Sequence, residues 1–203
     1  MKYILILLLL LIFPLSGIAE KHCVFTPING THGLSGNKVR NITQLPDGRM
    51  MITTEGLLNL YDGTDREDLC RLSDYSGFHH EYIDAHGYMW LKNQRQLMVV
   101  DIGRECFIER PDSLLALWGI DTPMKDFFMD KTKDLWVITD KDDLVRIDKT
   151  TLQASTFLNR VSLIGDTTDQ VYDLGVLDGN LYLFYRSGLL ICYAMESQKE
   201  IYR

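Results

Sequence analysis

The densest run of groups able to hold a metal or move a proton is "HHEYIDAH", which sets His79, His80, Glu81, Asp84 and His86 within eight residues. A metal centre needs three or four donors converging on one point. On an extended strand successive side chains point to opposite faces, so His80, Asp84 and His86 share one side while His79 and Glu81 take the other. Convergence is poor. The run reads as a solvated entry into a strand, with His86 in the turn before Gly87, and no metal site is expected. Nucleophilic catalysis lacks a scaffold too, because there is no Gly-x-Ser-x-Gly elbow and no Ser or Cys paired with a base by spacing. A Gly-rich phosphate loop is absent. Scattered Asp residues do not define the carboxylate pair, about 5 to 10 Å apart, that glycoside hydrolysis uses. No catalytic residue and no cofactor is expected.

Aromatic rings could stack on sugars, but their spacing argues first for packing. Aligned on a turn, the chain repeats as "GRMMITTEGLLNLYD", "GYMWLKNQRQLMVVD", "KDLWVITDKDDLVRID" and "GNLYLFYRSGLLICY". The bulky central residue falls at Met51, Trp90, Trp136 and Tyr182, with intervals of 39, 46 and 46. A period near 40 to 46 built from short strands and polar turns marks β-propeller blades. No stretch shows apolar residues at the 3.6-residue spacing of a helix. Recurrence at one strand position is what packing between adjacent blades requires, so these four residues are expected to be buried there. Trp118 stands outside the repeat, in the apolar connection "RPDSLLALWGIDTP", and is open between a recognition surface and a cover for the core.

The first unit can be divided into strands at its turn residues. Val39 to Leu45 comes innermost, then Pro46-Asp47-Gly48, Arg49 to Thr53, a break at Glu55-Gly56, Leu57 to Tyr61, Asp62-Gly63, and an outer strand near Leu69 to Ser73. Glycine accepts positive φ and aspartate bonds its own backbone across the turn. Four strands make a blade. The expected class is all-β, about four four-stranded blades at 33–73, 74–110, 120–158 and 166–203, preceded by a closing strand in 20–32.

The order Gly33-Leu34-Ser35, Asn37, Val39, then Pro46-Asp47-Gly48-Arg49-Met50, Thr54-Glu55-Gly56-Leu57 and Tyr61-Asp62-Gly63 resembles the two-component regulator propeller repeat. The likeness covers Gly33 to Gly63 well and later units loosely; Met51 and Thr53 depart from the family's Trp and Gly, whereas Trp90 and Trp136 match it. The resemblance implies the periplasmic sensor region of a hybrid histidine kinase, responding to oligosaccharides, with downstream blades and signalling modules as partners and a homodimer in the full receptor. The second reading is a small complete propeller acting as a lectin or glycan-active enzyme. Loops joining second to third strands, and blade to blade, share one face of a propeller. His79, Arg95, Trp118 and Asp142 are therefore the rim candidates for ligand binding.

Composition fits an exported domain. A net charge of −7 without a basic cluster leaves no surface for nucleic acid. Lys2, the apolar run Ile4 to Phe13 and small residues at Gly17 and Ala19 read as a secretory signal peptide, residues 1–19, cleaved between Ala19 and Glu20. That run is short of the roughly 20 residues that span a bilayer. The mature chain is expected in the periplasm. Cys23, Cys70, Cys106 and Cys192 fall on separate blades or strands that splay apart, beyond the roughly 7 Å between Cα atoms that a bridge tolerates, so no disulfide is expected. Because "KEIYR" already supplies an outer strand to the last unit, the N-terminal strand has no vacant edge to fill, and the blades read as an incomplete part of a larger ring.

Overall fold

The computed structural model describes residues 27–32, 34–55, 57–63, 66–71, 80–93, 97–163 and 168–203. The signal segment, Cys23, His79 and Arg95 lie outside these, as does most of the expected closing strand; its described end, residues 27–32, closes in a 3-10 turn at Gly30–His32.

Four antiparallel sheets follow one another, each of four strands in chain order. Blade one holds β1 (Val39–Gln44), β2 (Met50–Thr54), β3 (Leu57–Tyr61) and β4 (Arg66–Arg71); blade two holds β5 (His80–Ile83), β6 (Tyr88–Lys92), β7 (Leu97–Asp101) and β8 (Cys106–Phe107). Blade three holds β9 (Met124–Met129), β10 (Leu135–Thr139), β11 (Leu144–Ile147) and β12 (Ala154–Leu158); blade four holds β13 (Val171–Leu177), β14 (Asn180–Tyr185), β15 (Leu190–Ala194) and β16 (Glu200–Tyr202). The turn that opens each second strand needs a left-handed residue. Gly48 takes it at φ 91°, with Asp47 Oδ1 accepting the Arg49 N–H at 3.0 Å. In blade three Lys133 takes it at φ 74°, a conformation costly for a side chain, and its Nζ donates to the Ile83 carbonyl of blade two.

Three apolar layers join the blades, one between each consecutive pair. Met51, Trp90 and Trp136 are each fully buried in the layer facing the following blade. Burying such a side chain contributes about 2 to 3 kcal/mol. A buried indole also needs an acceptor for its N–H. Asp84 Oδ2 accepts from Trp90 Nε1 at 2.8 Å, and Asp130 Oδ2 accepts from Trp136 Nε1 at 2.9 Å. The other oxygen braces the turn: Asp84 Oδ1 takes the His86 and Tyr88 N–H groups, and Asp130 Oδ1 those of Thr132 and Asp134. An aspartate six residues before the bulky residue occurs only where that residue is tryptophan; Met51 and Tyr182 have Leu45 and Val176 there.

Two expectations are overturned, the absence of any helix and the burial of Tyr182. The connection between blades two and three contains a helix, α1 (Pro111–Leu117), started by Pro111 and held by burial of Leu114 and Leu115 against Trp90 and Val99. Seven residues with two adjacent leucines show no helical period, so the element comes from docking, not from propensity.

The two outer faces of the stack differ. On blade one, Asn59 is fully buried where later blades carry Met98, Val145 and Ile191; its side chain donates to the Ile52 carbonyl and accepts from Ser35 N–H, so the residues before β1 cover this face with polar bonds. Among the described sheets none packs on the far side of blade four, so Tyr182 is not enclosed as Met51, Trp90 and Trp136 are. It stands half-buried beside Tyr202 at 6.5 Å between centroids, and Phe184 next to it is 43% exposed.

Asp130→Ala removes the acceptor for a buried indole and three turn bonds together, and is expected to cost about 2 to 3 kcal/mol in urea unfolding. Asp148→Ala, whose carboxylate bonds its own exposed turn, is expected to cost far less in the same measurement.

Candidate functional site

Strand ends from blades two, three and four surround a cleft of about 800 Å³. The loops after second strands deliver Asn93, Asp142 and Arg186 to it, and the inner strands deliver His80, Asp126 and Tyr172. Leu97, Ile138 and Val171 form apolar wall. An antiparallel meander brings these together because the β2-to-β3 type of loop and the blade-to-blade connection must emerge at the same sheet end.

The floor is an ion pair between blades. Lys92, 6% exposed, donates from Nζ to Asp126 Oδ1 at 2.9 Å and to the Phe127 carbonyl at 2.6 Å, with the ammonium 3.6 Å from the Phe128 ring centroid. Burial draws the Lys92 pKa down, and the charges of Asp126 and Asp173 partly restore it. Beside it the Tyr82 phenol is pushed up to about 12, by burial first and then by Asp173 and Asp126, so it stays protonated at neutral pH. Such a pair fixes the relation of blades two and three more than it adds stability, since desolvation offsets most of its Coulomb gain.

Asp142 holds the connection between blades three and four. It sits at φ 69°, its carboxylate accepts the Ser162 N–H at 2.7 Å and hydroxyl at 2.6 Å, and Lys125 Nζ approaches to 3.1 Å. Burial acts to raise its pKa, but the two Ser162 bonds and Lys125 outweigh it and hold the carboxyl below the usual range.

Of the residues read from sequence, Asp142 lines this cleft, as does Asn93 from the loop that contains Arg95. Trp118 lies elsewhere, half-buried at the end of α1, with its ring 6.1 Å from Tyr88 and 6.0 Å from Trp90. The described members of "HHEYIDAH" separate: His80 reaches the cleft, Glu81 accepts from Asn41 of blade one at 2.7 Å, Asp84 anchors Trp90, and His86 Nε2 donates to the Lys149 carbonyl. Among the described residues no three His, Cys, Asp or Glu side chains gather as a metal would need. Cys106 and Cys192 are free thiols, on an outer and a third strand of different blades. The sequence reading missed Lys92 and Tyr172, whereas Arg186 belongs to the Arg186-Ser187-Gly188 loop between second and third strands, one of the loops that propeller topology assigns to the rim. Lys92 and Asp126 are 34 residues apart and meet only because consecutive blades stack.

Serial four-stranded meanders packed face to face through buried layers define a β-propeller architecture. No family model matches the chain, and no curated protein does. Among solved structures, it is similar to one described as the extracellular domain of a hybrid two-component system from B. thetaiotaomicron, with a TM-score of 0.54 and 20% identity over 88% of this chain and 26% of that one. It is also similar to PorZ, a surface component of the type-IX secretion system of Porphyromonas gingivalis, with a TM-score of 0.52 and 16% identity over 85% of this chain and 23% of that one. The chain thus spans about a quarter of the length of either protein. At these identities the likeness is one of fold. Among the described residues no helix is long and apolar enough to cross a membrane.

A carboxyl whose folded pKa lies below its unfolded value adds stability above the unfolded pKa and loses it as pH falls through the folded one. For Asp142 that window opens near 3.8 and extends downward. Asp142→Asn is therefore expected to be less stable than wild type at pH 7, with the gap narrowing below about pH 4, as measured by urea unfolding across pH.

Proposed function

We propose that the chain is the ligand-sensing part of an exported receptor of the two-component type, and that the cleft bounded by blades two to four takes an oligosaccharide. The observation that supports this most is the cleft itself: it lies where loops of three blades meet, and it joins the exposed Tyr172 ring, 61% accessible, to polar side chains. An aromatic face beside hydrogen-bonding groups is the combination that a sugar ring, apolar on one face and hydroxylated at its edge, requires. The solved neighbour described as a sensor's extracellular domain agrees with a signalling setting. In this reading the signal segment 1–19 exports the chain to the periplasm. Further blades then cover the aromatic face of blade four, because Tyr182 occupies the position that in the three earlier blades enters the next layer. Signalling catalysis belongs to modules outside these blades, and pairing of receptors is a natural partner for such a device.

A glycan array probed with the purified chain from residue 20, with a reducing-sugar assay in parallel, tests the reading. Binding without cleavage is expected. Tyr172→Ala is expected to weaken that binding about tenfold, the scale of one lost stacking contact. Asp47→Ala, at the opposite-end turn, is expected to leave it unchanged. Cleavage of a glycoside, or equal effects of the two substitutions, would contradict it.

A further inference from the structure

We infer that the cleft selects an acidic sugar, and that Arg186 is the group that binds its carboxylate. This rests on the oligosaccharide reading and narrows it. The charges lining the cleft are engaged in two pairs, Lys92 with Asp126 at 2.9 Å and Lys125 with Asp142 at 3.1 Å. Neither carboxylate is left to attract a cation, because Asp126 is held by a buried ammonium and Asp142 also accepts twice from Ser162. Arg186 is different. It is exposed at the cleft wall, and among the described residues no acceptor stands within hydrogen-bond or ion-pair distance of its guanidinium.

Its backbone, by contrast, is fixed. The Arg186 N–H donates to the Gln170 carbonyl at 3.0 Å, the next residue's N–H and hydroxyl are taken by Asp169, and Tyr185 before it is buried with its hydroxyl on the Val161 carbonyl at 2.8 Å. Asp169, the acid whose carboxylate meets this loop, is thereby turned to Ser187. Asp173 lies outside the lining, and its field falls on Lys92 and Tyr82. The result is a guanidinium carried on a fixed backbone, without a partner among the described residues, lining the same cleft as the exposed Tyr172. A planar fork of donors matches a carboxylate in two parallel bonds. A uronic acid residue would place its ring on Tyr172 and its carboxylate on Arg186, with the Gln170 amide at hand for hydroxyls.

Calorimetric titration of the chain from residue 20 with tetragalacturonate and with its fully methyl-esterified form separates charge from ring shape. The acid is expected to bind at least tenfold tighter than the ester, and Arg186→Gln to remove that preference by weakening acid binding far more than ester binding. Ester binding as tight as acid binding, or equal weakening of both by Arg186→Gln, would overturn the acidic-sugar inference and leave the oligosaccharide reading standing. Absence of binding by both probes, with neutral oligosaccharides binding on the array, would also overturn this inference alone. Absence of binding by every glycan would overturn both.

Discussion

The bond from a buried indole to an aspartate six residues earlier is the constraint on which the stack depends. Trp90 and Trp136 fill the layers between blades two and three and between blades three and four. A tryptophan can be placed there only if its N–H is satisfied, since a buried donor without a partner costs about 1 to 3 kcal/mol. Asp84 and Asp130 meet that need and with the same carboxylate tie the tight turn that opens the strand. One side chain thus links turn geometry, strand register and blade packing. Blade one uses Met51, which has no donor, and there Leu45 replaces the acid.

The cleft follows from the same stacking. Once the layers set the order of the sheets, the loop ends of three blades are brought to one mouth, and Lys92 crosses from one blade to the next to meet Asp126. Asp142 then fixes the path of the chain from blade three into blade four through Ser162. The carboxylates of the site are consumed in holding the scaffold. On blade four the cleft is lined instead by the Tyr172 ring and the Arg186 guanidinium. That blade is also the one whose far face, among the described residues, is aromatic and uncovered, so the cleft adjoins the least buried end of the stack.

Much of the architecture was legible in sequence because turns announce themselves. Pro46-Asp47-Gly48 placed β1 and β2 to within one residue, and the repeat of Met51, Trp90 and Trp136 marked three positions that are buried. The outer strand β4 begins earlier than read, at Arg66, since a charged edge strand carries little hydrophobic alternation. Helix α1 was missed because its stability is tertiary. The aspartate anchors stand six residues before Trp90 and Trp136, but the same offset before Trp118 holds Asp112, which accepts from the Met124 N–H instead, so spacing alone does not mark an anchor. The site was less legible: loop topology marks the turns that hold Asp142 and Arg186, but Tyr172 acquires meaning only when β13 and β14 pair and bring it to the same rim.

Hydrogen exchange of the tryptophan indole N–H groups, followed by NMR on the folded chain, tests the anchoring interaction most directly. Trp90 and Trp136 Nε1 are expected to exchange only through unfolding of their layers, orders of magnitude more slowly than Trp118 at the surface end of α1. Exchange of all three at a common fast rate would contradict the picture of blades locked through buried indole–carboxylate bonds.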